Sequence, residues 1–438
     1  MTPLTIGFLA FFAMILFVFI GVPVCYSVIV FAAAGLYLVG GMPILAQQFT
    51  NGIFTLSANY TFTVMPLFML VGVLAGETGI AAGTFTSAKK WLGRFRGGLL
   101  YAVVGANAVF GACSGISSAG TIVFSRIAAP ELKKSGYDES LSYGCISAAG
   151  ALSSLIPPST SILTFCILTD ISIGTSLIAG TSGGLLLVLT MFVLIFITLK
   201  LKPSKAPEVT AADRSVTWKE RLVTLKLLGP ILLLFLFIVG GAFFGWFTAT
   251  VGGAVATCVV VIYALAKGMK FKEIMASFWD STQMFAGIYL IMLGGQIFSR
   301  LIAITGMAQC IIDFIAGIGL PPSIVFLAII VFYGICGCIM DCMSIIIITV
   351  PIIFPLLTGL GFNPFVICVI LVLCAELGCI TPPMGLAVFT VASVLRESPT
   401  KIFKGVLPFV IAMLAAAVIA VFVPDIILWL PRALGAGV

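Results

Sequence analysis

The sequence predicts an all-α polytopic membrane protein made of two inverted-topology repeats of five spans, each with a re-entrant helical hairpin and a broken helix. Three observations predict it. Apolar residues make up 61% of the 438-residue chain and charged residues only 8%, against about 25% charged in soluble domains. Two stretches of the chain align without a gap at a fixed offset of 225 residues. The Lys and Arg residues cluster in the loops that one count of crossings places on a single side of a bilayer.

Composition also limits the chemistry. There is no His, so no Ser-His or Cys-His pair and no His-based zinc site can form. No glycine-rich loop ends in Gly-Lys-Ser/Thr, which removes one route to nucleotide hydrolysis. The net charge of +7 reads as membrane orientation rather than nucleic-acid binding. Of the twelve Cys, Cys336, Cys338 and Cys342 lie close enough to raise a metal cluster. With no second ligand type, they read as small apolar packing residues, so no transition metal and no cofactor are expected.

The spans follow in order. No basic segment precedes the first apolar run, 4–20, so it reads as a true span and not a cleaved signal. A second span covers 22–38. A more polar stretch, 47–61, is expected to lie at the interface, and a third span covers 62–75. Lys89, Lys90, Trp91, Arg94 and Arg96 then mark an amphipathic interface anchor. The segment 97–134 is apolar but broken at 111–120 by Gly and Ser. Each arm is about 15 residues, short for a crossing of about 20, so two short helices entering and leaving on one side are expected. This is hairpin 1. A crossing at 141–168 is interrupted at 153–158, where Pro157-Pro158 removes two N–H donors. A span at 173–199 ends the first repeat, residues 1–200.

A polar linker at 201–226 joins the halves. The second repeat, 227–438, starts with spans at 227–244, 248–265 and 284–304. A weakly polar stretch reaches Pro322. Hairpin 2 follows at 323–357, with its tip near 337–341. A crossing at 364–395 is broken at 378–383 by Gly378 and Pro382-Pro383, and a last span covers 406–428.

The offset of 225 places Pro130 on Pro355, Gly136 on Gly361, Asp138 on Asn363, Leu152 on Leu377 and Pro157-Pro158 on Pro382-Pro383. Thr78-Gly79 matches Thr305-Gly306 with a two-residue shift. With five crossings per half and the 200–226 loop in the cytoplasm, 19 of the 22 Lys and Arg fall on the cytoplasmic side. Both termini are then periplasmic, and the second half is inverted relative to the first. That architecture points to a secondary transporter.

Irregular backbone at membrane depth is tolerated where it lines a cavity or meets an ion. The four breaks are therefore the candidate site. Each hairpin tip is expected to pair with the break in its own half: residues 114–118 with 153–158, and Gly337 with 378–384. Hydroxyls and carbonyls there suit Na⁺, with Thr381 the main side-chain donor of the second pair. The other reading of Gly and Ser at such tips is close helix packing. Ser118, Asp341, Glu376 and Arg126 are candidates for substrate binding or coupling. Intramembrane carboxylates are functional candidates by default, although Asp341 could instead cap a helix. Arg126 could mark an anion path or snorkel to the cytoplasmic face.

Several of these motifs resemble those of the large membrane subunit of the tripartite ATP-independent periplasmic (TRAP) transporters. They are Pro66-Leu67-Phe68 with Gly72, the tip at 114–119, the run 149–159 ending in Ile-Pro-Pro-Ser, Met340-Asp341, and above all the run 376–385. The resemblance covers nearly the whole chain. It implies Na⁺-driven uptake of an organic acid (a C4-dicarboxylate, keto acid or sugar acid) across the bacterial inner membrane by an elevator mechanism. It implies two partners, a small four-helix membrane subunit and a periplasmic substrate-binding protein. No four extra spans precede Met1, so the small subunit is expected as a separate chain. Carried over by position, one Na⁺ site would use Ser114, Ser117, Ser153, Ile156 and Pro158, and the other Gly337, Gly378, Thr381 and Met384. The family often has Gly where this chain has Ser153. The alternative is a stand-alone Na⁺/dicarboxylate symporter of the related superfamily. Those carry Asn at their hairpin tips, and neither tip here does. An enzyme and a channel are further rivals, the first without an evident catalytic dyad.

Overall fold

A computed structural model describes residues 1–209, 216–241, 246, 248–383 and 385–437. Every regular element among them is helical. Six helices are long and apolar enough to cross a membrane, or eight if two bent pairs each count as one span. The remaining apolar helices are 10–17 residues long, at or below the lower end of the spanning range; they include Pro3–Phe19, arms of the hairpins and pieces of the broken crossings.

The first half opens with α1 (Pro3–Phe19) and α2 (Val24–Ala58). Thr2 caps α1 by accepting a hydrogen bond from the Thr5 N–H, and Pro3 needs no partner at that helix start. The expected second span and the polar stretch 47–61 prove to be one helix as far as Ala58, kinked where Gly41 takes φ +69° ahead of Pro43. Its polar residues meet a partner helix: Ser57 shares a 2.5 Å hydrogen bond with Tyr289. Next come α3 (Val64–Glu77), α4 (Ile80–Leu92), and the two arms of hairpin 1, α5 (Gly98–Ser114) and α6 (Ser117–Lys134). The first broken crossing is α7 (Glu139–Ala149), α8 (Leu152–Leu155) and α9 (Thr160–Thr169), with a bend of 43°. The half ends on α10 (Ile173–Leu201).

The linker is shorter than expected. A 3₁₀ turn covers Pro203–Lys205, residues 210–215 lie outside the described residues, and α11 (Trp218–Phe235) begins before 226. The last residues of the expected span 227–244 also lie outside the described residues. The second half continues with α12 (Ala249–Ala266), α13 (Phe271–Thr305) and α14 (Met307–Ile318). At 35 residues α13 is longer than the span read at 284–304. Hairpin 2 is α15 (Pro322–Gly337) and α16 (Cys342–Gly359). The second broken crossing is α17 (Pro364–Ile380) and α18 (Leu386–Leu395), followed by α19 (Pro399–Phe422). The final apolar run, read as one span to 428, stops at Phe422, and α20 (Asp425–Ala433) is a separate short helix after Pro424.

Residues at the 225 offset play the same local parts. Asp138 caps α7 and Asn363 caps α17, each accepting a backbone hydrogen bond of 2.9 Å. Gly136 and Gly361, just before them, take φ +79° and +89°, a conformation that glycine adopts at little steric cost.

The packing sets outer helices around an interlocked centre. α2 lies along α13, with α1, α3 and α12 beside them, and α11 lies along α4. At the centre the halves cross. α7 packs on α19 through Gly144 and Gly405: a Cβ on Gly405 would stand 1.7 Å from the Ser140 carbonyl oxygen. α10 packs on α17, where a Cβ on Gly183 would stand 2.3 Å from Val369. Lipid tails are as apolar as Leu side chains, so close backbone approach at small residues supplies packing energy that burial from water cannot. At one end of this centre Glu139 bonds Lys401 and also Lys133, the latter at 3.0 Å. Lys401 also meets Glu397, and Lys205 reaches Asp138.

Candidate functional site

Hairpin 1 turns at Gly115, which has φ +62°, followed by extended Ile116. The first crossing breaks at Ile156, also extended, and restarts when Ser159 caps α9. Pro157-Pro158 is joined by a cis peptide bond, as is Pro382-Pro383. The tip lies on the break. The Gly115 carbonyl accepts from both the N–H and the hydroxyl of Thr160, at 3.1 and 2.9 Å. A Cβ on Gly115 would stand 2.0 Å from the Pro158 carbonyl oxygen, and one on Gly111 would stand 3.0 Å from the Ser153 Cα. Glycine here is a packing requirement as well as a conformational one. Gly72 of α3 closes the other side, where a Cβ would stand 2.5 Å from the Ser114 carbonyl oxygen.

This junction holds polar atoms with nothing to bond. Ser114 and Ser153 are fully buried, and neither hydroxyl has a hydrogen-bond partner among the described residues. The side-chain oxygen of Asn107, buried on α5, also lacks one, while its amide nitrogen donates to the Val103 carbonyl at 3.1 Å. Buried polar groups are normally satisfied, at a cost of about 1–3 kcal/mol when they are not. An oxygen-only donor set of this kind fits a hard cation. Asn107 escaped the sequence reading, although an amide in the middle of an apolar arm was a signal.

Hairpin 2 repeats the contact with different atoms. Gly337 and Gly378 lie so close that a Cβ on either would stand within 2.4 Å of the other's Cα. The Cys338 thiol donates to the Pro382 carbonyl at 3.0 Å. Thr381 is extended at the end of α17, its N–H on the Gly378 carbonyl and its hydroxyl on the Leu377 carbonyl at 2.7 Å. Because the hydroxyl donates there, its lone pairs remain free to accept. Met384 lies outside the described residues.

Between the two junctions is a cavity of about 180 Å³. Its wall takes Ser117, Ser118 and Ser161 from the first half, Asp341 and Glu376 from the second, and Met69 and Ile288 from the outer helices α3 and α13. Three of the four substrate or coupling candidates therefore share one space. Asp341 also caps α16, accepting from the Met343 and Ser344 N–H groups at 3.1 and 3.2 Å and from the Ser344 hydroxyl. Both readings of Asp341 thus have structural counterparts. Arg126 does not line the cavity. It is exposed on α6, two turns from Ser118 toward Lys133. Ser161, in the first turn of α9, leaves no mark in the sequence that separates it from the other hydroxyls after the Pro-Pro break.

These features define a class, a multi-pass helical membrane protein whose paired helix breaks flank a cavity lined by hydroxyls, two carboxyl groups and apolar side chains. A solved fold agrees. The crystal structure of the Alcanivorax borkumensis YdaH transporter matches with a TM-score of 0.62 at 14% identity, over 93% of this chain and 97% of that one. The family model of the tripartite ATP-independent periplasmic transporter, DctM component, matches residues 11–426, and the chain belongs to that family. The C4-dicarboxylate TRAP transporter large permease protein of Pseudomonas aeruginosa is 31% identical over 87% of this chain and 89% of its own length. The sialic acid TRAP transporter large permease protein of Vibrio cholerae is 28% identical over 94% and 96%. The chain is thus a TRAP transporter large permease.

Proposed function

We propose that this permease drives Na⁺-coupled uptake of a small organic acid across the bacterial inner membrane, with both termini in the periplasm. A periplasmic binding protein delivers the acid, and a small four-helix membrane subunit completes the membrane unit. The observation that carries this reading is the pair of tip-on-break junctions flanking one cavity, the first with unpartnered buried oxygens. Ser114, Ser117, Ser153, Ile156 and Pro158 hold one Na⁺. Gly337, Gly378, Thr381 and Met384 hold the other. Ser118 and Asp341 face the substrate. The two relatives described above are named for C4-dicarboxylate and sialic acid transport, which supports an acid here. A cavity of about 180 Å³ is small beside the roughly 300–1,000 Å³ of common ligand pockets, which favours a C4-dicarboxylate or keto acid over a sugar acid.

The cavity wall combines residues of the interlocked centre with Met69 and Ile288 of the outer helices. Sliding the centre, with both hairpins, along an outer scaffold would carry the cavity from one side to the other, as an elevator does. Reconstituting this chain with its small subunit and binding protein in liposomes tests the reading. Uptake of labelled C4-dicarboxylates and keto acids should require an inward NaCl gradient, and choline chloride should not replace it. Equal uptake in choline chloride overturns Na⁺ coupling. Full uptake without the binding protein would favour the stand-alone symporter.

A further inference from the structure

Glu376 has a role that the two junctions leave unexplained. It sits on α17 ahead of the second break, only 2% exposed, and its Oε1 has no hydrogen-bond partner among the described residues. The groups facing its carboxyl come mostly from the other half of the chain: the hydroxyls of Ser154 in α8 and Ser117 at the start of α6, together with the Cys342 thiol of α16. Asp341 lines the same cavity, and no Lys or Arg is among the described lining residues.

This arrangement is unbalanced in charge and in hydrogen bonding. A buried carboxylate without a counter-charge is costly, and a second carboxylate beside it raises that cost. An anionic substrate entering the same space would raise it again. One monovalent cation offsets the charge of Glu376. It neutralises the carboxylate, occupies the orphaned oxygen and attracts the substrate's acid group. Carboxylate and hydroxyl oxygens are the hard donors such an ion takes.

Resting on the Na⁺-coupled reading above, we propose that Glu376, Ser117 and Ser154 form a third Na⁺ site at the seam between the halves. Ser117 belongs to the tip of the first junction and Ser154 to its break, while Glu376 lies two residues before Gly378 of the second. The ion would tie the junctions together and prepare the cavity for an anion beside Asp341. The second half would then supply the charge and the first half the hydroxyls.

The test uses the intact complex in detergent and reads the thermal midpoint against the logarithm of NaCl concentration, with choline chloride holding ionic strength. The slope reports the number of ions bound to the folded state. Glu376→Gln should lower the slope by one ion. Thr381→Ala, which weakens the second site without removing it, should keep the limiting slope and raise the Na⁺ concentration at which that ion contributes about tenfold, and in the double variant the two effects should add. Ser154→Ala keeps the carboxylate and should raise the Na⁺ concentration for half-saturation about tenfold, which serves if Glu376→Gln does not accumulate. An unchanged slope in Glu376→Gln, or an unchanged half-saturation in Ser154→Ala, overturns the third site. A changed pH dependence with an unchanged Na⁺ slope overturns it in favour of a proton. A wild-type midpoint equal in NaCl and choline chloride removes Na⁺ coupling itself.

Discussion

The backbones of Gly337 and Gly378 touch, with no room for a side chain on either: a Cβ on Gly378 would stand 2.3 Å from the Gly337 Cα. This contact seats the tip of hairpin 2 on the second break. A methyl group there must part the two segments, and overpacking of this kind costs about 1–3 kcal/mol. Gly378→Ala and Gly337→Ala should each lower uptake about fivefold or more, since each 1.36 kcal/mol is a factor of ten. Gly334→Ala is the control, because its Cβ would meet nothing within 4 Å. Uptake rates normalised to membrane-inserted protein decide it, and equal rates for all three would remove the contact from the mechanism.

Thr381 leads to a prediction about its hydroxyl alone. The group is held by donation to the Leu377 carbonyl, so its orientation is fixed before any ion arrives. Thr381→Ser keeps that bond and should transport nearly as the wild type does. Thr381→Ala should raise the Na⁺ concentration for half-maximal uptake about tenfold. If Ala and Ser variants share the wild-type sodium dependence, the hydroxyl is not a ligand.

The first junction couples three residues. A Cβ on Gly120 would stand 2.7 Å from the Ser153 hydroxyl oxygen and 2.9 Å from the Asn107 side-chain oxygen. Gly120→Ala should therefore reduce uptake by displacing both. Removing the Ser153 side chain clears one of the two clashes, so Ser153→Gly should partly rescue Gly120→Ala. Such non-additivity is the mark of direct contact. Additive losses in the double variant would mean that Gly120 acts elsewhere.

How much of this could be read from the sequence follows from which residues leave a local trace. Pro157-Pro158, Pro382-Pro383 and the glycine tips disturb a helix by their own covalent structure, so their positions were legible. The length of α2 was not. Gln47 and Gln48 look interfacial in a hydropathy scan, and their helix is confirmed only by what it packs on, as with Ser57 on Tyr289. The joining of Ser117, Ser154 and Glu376 was equally hidden. They are distant in sequence and on different helices, and it is the packing of the two halves, α8 on α17 and α6 on α18 among other pairs, that brings them to one cavity. Asp341 shows a limit of another kind. Its motif allows a cap or a cavity wall, and the fold uses it as both.

The last prediction concerns orientation. Lys133, Lys205 and Lys401 come from hairpin 1, the linker and the start of α19, yet they gather around Asp138, Glu139 and Glu397 at one end of the molecule. Exposed pairs of this kind add little stability, but they gather charge from both halves, and positive charge is retained on the cytoplasmic side. From that end α19 runs for 24 residues, about 36 Å at 1.5 Å per residue, more than the roughly 30 Å of a bilayer's hydrocarbon core. α20 and the C-terminus should then emerge in the periplasm. An alkaline phosphatase fused after the last residue should be active in whole cells, and a green fluorescent protein exported at the same point should stay dark. The opposite pair of results would place the lysine cluster outside and invert the assignment of both hairpins.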